Sequence, residues 1–256
     1  MDSETTQGQT QEQTPVQQQS NPLIIPATLL VGFGLIAAAI YFSGGIGSNA
    51  PIAGLGIDTD SAAVIEKGPV RPIDEDDHIR GDPNAPIIIM EYSDYDCPFC
   101  KNFHETMNQV IDDYGVSGKV AWVYRHFPLE QLHPNAPGIA LASECVADLG
   151  DNEAFWTFSD LVFGERETNA QTNVTKLSDF AMQAGVDGNS FDECVKEGRF
   201  IDKVNEDFAD GTNAGVQGTP YSLVLVGGQQ GEINGAQPYE AVKQIIETLL
   251  GQIESQ

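Results

Sequence analysis

The sequence predicts an α/β fold carrying an inserted helical subdomain and preceded by one apolar span. Three observations predict it. Residues 87–102 read IIIMEYSDYDCPFCKN, an apolar run suited to a buried strand, then a short polar turn, two cysteines and a helix-like stretch that continues to residue 114. Residues 134–210 carry helical rather than alternating patterning. Residues 221–253 read as strand, glycine turn, short return strand and amphipathic helix. The resulting order is strand, helix, strand, helical insert, hairpin, helix, which requires a sheet covered by helices.

Residues 1–22 are polar and Gln-rich, with no aromatic residue, a composition that cannot build a core and reads as a disordered tail. Residues 23–42 (LIIPATLLVGFGLIAAAIYF) carry no charge and have the length a helix needs to cross the hydrocarbon core. A cleaved signal peptide fits less well, because the preceding stretch is long, acidic and free of Lys and Arg. Residues 43–73, with Gly, Ala, Pro and scattered acids, read as a linker, and 74–256 as the domain. Residues 73–86 are a turn-rich lead-in to the strand at 87–90.

Residues 119–126 (KVAWVYRH) alternate enough for a second strand, which Phe127-Pro128-Leu129 ends. Helices are expected at 138–149, 153–163, 177–184 and 190–198, within an insert at about 130–210. The aromatics Phe155, Trp156, Phe158 and Phe163 suit core packing. Residues 221–226 (YSLVLV) form the next strand, Gly227 and Gly228 the turn, and 231–234 the return strand. Val242, Ile245, Ile246, Leu249 and Leu250 place one apolar face on a helix at 238–253.

The chemistry concentrates at Cys97-Pro98-Phe99-Cys100. Two cysteines two residues apart at a strand-to-helix junction are a thiol–disulfide signature. Cys97 at the helix start faces free N–H groups and the positive end of the helix dipole, which stabilise a thiolate. Pro98 suits the first helical position, where a missing N–H has no partner to lose. Cys100 falls one turn on, within reach of Cys97 but deeper. Asp94 and Asp96, if close in space, would oppose the thiolate. Cys97, Cys100 and His104 could alternatively face one way and hold a metal, but no fourth ligand is evident. His126 and His133, near the end of the second strand, read as structural. With 38 acidic against 12 basic residues and a net charge of −26, the chain excludes nucleic acid as a partner.

The element order, with CPFC at the first helix and Gly218-Thr219-Pro220 just before the hairpin, resembles the thioredoxin fold. More closely it is similar to the DsbA-like thiol:disulfide oxidoreductases, whose thioredoxin fold carries a helical insertion. The resemblance runs from about residue 77 to the C-terminus. It rests on Gly81-Asp82-Pro83-Asn84-Ala85-Pro86, Glu91-Tyr92-Ser93-Asp94-Tyr95 ahead of the cysteines, Phe155-Trp156 in the insert, and Gly218-Thr219-Pro220.

That resemblance implies a redox pair at Cys97 and Cys100, with Pro220 cis and packed beside it. It implies that Glu91 is a buried acid moving protons to and from the inner thiol, its pKa raised by burial. Thr219 would offer its backbone to an extended substrate peptide, with Pro98 and Phe99 flanking it. Phe99 differs from the histidine that strongly oxidising relatives often carry, and it can neither donate a hydrogen bond nor bear charge. Reduced exported proteins would be the substrates, a membrane protein of the DsbB or VKOR type the electron acceptor, and no cofactor is required. The implied location is the cell membrane, single-pass, with the catalytic domain outside the cytoplasm. The remaining cysteines, Cys145 and Cys194, fall on two helices of the insert. As a bridge they would staple it, worth roughly 4 kcal/mol in the chain-entropy model; a second redox relay or two buried free thiols are the other readings. Two functional rivals stay open: the same chemistry run as a reductase or isomerase, and a non-catalytic binding module with four structural cysteines.

Overall fold

A computed structural model describes residues 68–255 other than 168. The expected polar tail, the apolar span at 23–42 and the linker up to residue 67 lie outside the described residues. Among the described residues no helix is long and apolar enough to cross a membrane.

A sheet of five strands runs in the order β1-β3-β2-β4-β5, with β1 His78–Gly81, β2 Ile87–Ser93, β3 Val120–His126, β4 Tyr221–Val226 and β5 Gln229–Asn234. Only β2 and β3 pair in parallel; the other neighbours are antiparallel. Helix α1 (Pro98–Val110) makes the crossover from β2 to β3, and α7 (Tyr239–Glu254) closes the chain. Between β3 and β4 lie α2 (Ala136–Leu149), α3 (Asn152–Glu165), α4 (Leu177–Gln183), α5 (Gly188–Glu197) and α6 (Ile201–Asn213).

Every residue of β3 is buried, which tells that both faces of the sheet are covered. Strand alternation sorts its side chains. Trp122 and Tyr124 join the larger core with Phe103 and Met107 of α1, Phe155 and Phe158 of α3, and Val242 and Ile246 of α7. Val123 and Phe127 join the smaller core with Met90, Tyr92 and Leu223 on the opposite face. There α6 packs so closely that a Cβ on Gly211 would lie 2.6 Å from Phe127 and 2.9 Å from Tyr92, so glycine sets the approach distance. The hairpin turn uses Gly227 and Gly228 at positive φ (54° and 80°), the conformation that tight two-residue turns demand.

Three expectations need correction. The lead-in contains a strand, β1, antiparallel to β3 with His78 opposite Tyr124. Four residues including His78, Arg80 and Gly81 are too few and too polar to show alternation. The expected linker ends too late: Arg71 already binds Asp77 and Asp207, each at 3.1 Å, and Gly68 N–H donates to the Asn213 carbonyl at 2.7 Å. Lastly, α6 was not separable from the general helical pattern. Its buried positions are Val204, Asp207, Asp210 and Gly211, so it packs with carboxylates instead of an apolar stripe.

Candidate active site

Strand β2 delivers the chain to the site and α1 carries it away. Between them, the carbonyl of Asp94 accepts the Cys97 N–H at 3.1 Å, and the Asp94 carboxylate accepts the Asp96 N–H at 2.8 Å. This tight turn leaves Cys97 extended at the N-cap, with Pro98 in the first helical position. Cys97 is 3% exposed and Cys100 fully buried, and both are free thiols.

The two sulfurs occupy opposite electrostatic situations. The Cys97 thiol is pushed down to about 6, first by a hydrogen bond from the Cys100 thiol; burial opposes this, and Thr219 and the amides of Cys100 and Phe99 add to it. Burial, then the neighbouring Cys97, pushes the Cys100 thiol well above its ordinary value. The amides at the helix start therefore help, as expected, but the partner thiol contributes more. Opposite the helix, the Thr219–Pro220 peptide is cis, and the Thr219 carbonyl accepts the Cys97 thiol at 3.4 Å. In the reduced protein that carbonyl thus faces the nucleophile itself.

Glu91 lies in the middle of β2, fully buried, where Trp122 Nε1 donates to its Oε2 at 3.0 Å. Burial pushes its carboxyl up to about 8, against the hydrogen bonds it accepts. Its Oε1 is buried without a hydrogen-bond partner among the described residues. Such a group holds a proton at neutral pH and can release it nearby. Phe99 stands 62% exposed on the first turn of α1, beside half-buried Pro98.

Asp94 and Asp96 are close in space but do not dominate the thiolate. The Asp94 carboxylate also accepts the Leu129 N–H and His133 Nδ1, each at 2.8 Å, and Asp96 accepts the Thr172 N–H at 2.8 Å. Their charge is spent on hydrogen bonds that hold the loop. His104 is turned to Asp160, 2.7 Å from its Oδ1, and lies against Phe163, so the Cys97–Cys100–His104 metal set is not assembled. Cys145 and Cys194 are bonded to one another, both fully buried, joining α2 to α5.

One contributor had no signal in the sequence. Arg166, at the C-terminus of α3, is buried and donates from Nη1 to the Asp96 carbonyl at 2.5 Å and from Nη2 to the Cys97 carbonyl at 2.7 Å. It braces the turn that presents Cys97 and brings the guanidinium charge into the site; burial lowers its own pKa, against the opposing pull of Asp96, Cys100 and Cys97. Replacing it by methionine should raise the Cys97 pKa, because removing a nearby opposite charge disfavours the thiolate. Thiolate absorbance at 240 nm against pH reads this directly. An unchanged titration alongside lowered stability would make Arg166 a brace and nothing more.

A family model described as Thioredoxin matches residues 74–248. Curated relatives include the Na(+)/H(+) antiporter NhaA 1 of Mycolicibacterium gilvum (strain PYR-GCK), 34% identical over 158 residues, covering 60% of this chain and 24% of the relative. The Na(+)/H(+) antiporter NhaA 3 of Salinispora tropica is 31% identical over 154 residues, covering 60% and 22%. The chain thus spans about a quarter of the length of these curated relatives. Among solved structures, oxidised BdbD from Bacillus subtilis superposes with a TM-score of 0.62 at 23% identity, over 72% of this chain and 98% of that one. Pseudomonas aeruginosa DsbA2 gives 0.57 at 23% identity, over 70% and 97%. At these identities the likeness is one of fold.

Proposed function

We propose that this chain, which belongs to the thioredoxin family and has the fold of the DsbA-like thiol–disulfide oxidoreductases, introduces disulfide bonds into exported proteins. The single observation behind the direction of flow is the asymmetry of the pair, with Cys97 pushed down to about 6 and Cys100 pushed up. A stabilised Cys97 thiolate favours the reduced form, and a pair whose reduced form is favoured is an oxidant.

In the reaction, a substrate thiolate attacks the Cys97 sulfur of the oxidised pair. The Cys97–Cys100 bond breaks, a substrate–Cys97 bond forms, and Cys100 leaves as a thiolate. Because burial disfavours that charge, it takes a proton, for which Glu91 is the nearby carrier. A second substrate thiolate then attacks the substrate sulfur of the mixed disulfide. Cys97 leaves as the stabilised thiolate, so the substrate loses two electrons and the pair gains them. Phe99 and the backbone of Thr219 flank the approach. A membrane redox protein of the DsbB or VKOR type would reoxidise the pair, and no cofactor enters. The apolar span at 23–42 would anchor the chain with this domain outside the cytoplasm.

The test mixes oxidised full-length protein with a reduced peptide carrying two thiols. One peptide disulfide should form for each protein disulfide consumed. Titration against glutathione should place the pair well above the ~−270 mV of thioredoxin. A potential at the thioredoxin value would reverse the reading to reductase, and an inert pair would leave a binding module.

A further inference from the structure

We propose that His78, His126 and Glu144 form a binding site for a divalent transition-metal ion of the zinc class, separate from the cysteines. The three residues come from β1, the last position of β3, and α2, so the fold brings them together from distant parts of the chain. His78 Nε2 lies 2.9 Å and His126 Nε2 2.7 Å from the same atom, Glu144 Oε1. The three ligand atoms fall within 4.8 Å of one another. All three side chains are buried, at 7%, 1% and 5% exposure.

Two imidazoles and one carboxylate are a donor set that zinc accepts, leaving a fourth position open. Glu144 has two oxygens, yet both imidazoles meet at one of them, which gathers three monodentate donor atoms into one small buried space. Metal–ligand bonds of ~2.0–2.2 Å around a tetrahedral ion separate the ligand atoms by about 3.3 Å. The two observed nitrogen–oxygen separations, 2.9 and 2.7 Å, would need to open by about half an ångström. The ring of His78 is held in a stack on Phe155, centroids 3.6 Å apart, so its direction is preset.

The ion also has an entry route through acidic surroundings. His78 lines a cavity of about 440 Å³ together with Asp74, Glu75, Asp77 and Asn152. Arg71 and Arg125 pair with two of those acids, Asp74 and Asp77, and the chain as a whole carries a net charge of −26. Placed there, the ion would tie edge strand β1 to β3 and α2, against Tyr95 of the redox turn, whose ring is 6.1 Å from that of His126.

The experiment uses the full chain with Cys97 and Cys100 oxidised to the disulfide, so that no thiolate competes. Zinc is titrated calorimetrically and cobalt by its visible spectrum. One ion per chain should bind, with a cobalt spectrum lacking thiolate charge-transfer bands. His78→Gln, at the cavity wall, should weaken binding by at least the roughly 100-fold that losing an outer-shell partner can cost, and Glu144→Gln should do the same. Wild-type affinity in both folded variants would overturn the proposal. Absence of zinc binding by the wild-type protein would overturn it alone, leaving a hydrogen-bonded triad, and needs no variant to fold.

Discussion

Cys97→Ser is expected to abolish the reduced protein's reaction with iodoacetamide at pH 7, although Cys100 remains. With Cys97 pushed down to about 6, about 90% of it is thiolate at pH 7, and only the thiolate reacts. A thiol at the ordinary value of 9.0 is about 1% ionised at that pH, and burial pushes Cys100 higher still behind a fully covered surface. Labelling should therefore fall by roughly 100-fold or more. The sign with pH follows: the Cys97 thiolate is present above its folded pKa and lost as pH falls through it, so wild-type alkylation should be half-maximal near pH 6. Cys100→Ala keeps the nucleophile but removes its largest stabilising hydrogen bond, so the half-point should move upward. Labelling shifted to Cys100 by the serine variant, or a wild-type half-point near 9, would contradict the assigned roles.

Arg125→Met should cost about 3–5 kcal/mol of stability, the usual result of removing one partner from a buried charge pair. Arg125 is fully buried, and its Nε and Nη2 grip both oxygens of Asp77 at 2.8 Å. Its Nη1 donates to Asp210 Oδ2 at 2.7 Å, and to the Arg71 carbonyl at 3.0 Å. Tyr92 donates to the same Asp210 oxygen at 2.5 Å. Methionine fills similar volume, so the loss would come from two carboxylates left under-compensated inside the fold, not from a void. Urea unfolding at pH 7 measures it, and Arg125→Lys should recover part of the loss by keeping charge without the fork geometry. A loss below about 1 kcal/mol, the level of an exposed pair, would mean that water reaches this network.

Different physical signals made different parts of this molecule readable. Strand β2, the cysteine turn and α1 were legible because their determinants are consecutive: an apolar run, a proline suited to a first turn, and a spacing that places one thiol at the helix start. The hairpin was legible from Gly227-Gly228 and α7 from its apolar spacing. Strand β1 was not, since an edge strand of four residues shows no period. Helix α6 was not, since its inner face carries Asp207 and Asp210, whose burial makes sense only opposite Arg71, Arg125 and Lys203. For the same reason the segment from Gly68 looked like linker, although Arg71 binds it to the domain.

The sequence by itself determined the α/β order, the thiol pair and the end of the helix at which its nucleophile sits, because neighbours along the chain supply those forces. Tertiary structure alone decided what surrounds them. It brought Arg166 to the Cys97 carbonyl across 69 residues, Thr219 to the Cys97 sulfur across 122, and two histidines to one oxygen of Glu144. Buried polar groups are satisfied by whichever partner the fold brings near, and a lone arginine, histidine or glutamate carries no periodicity from which that partner can be read.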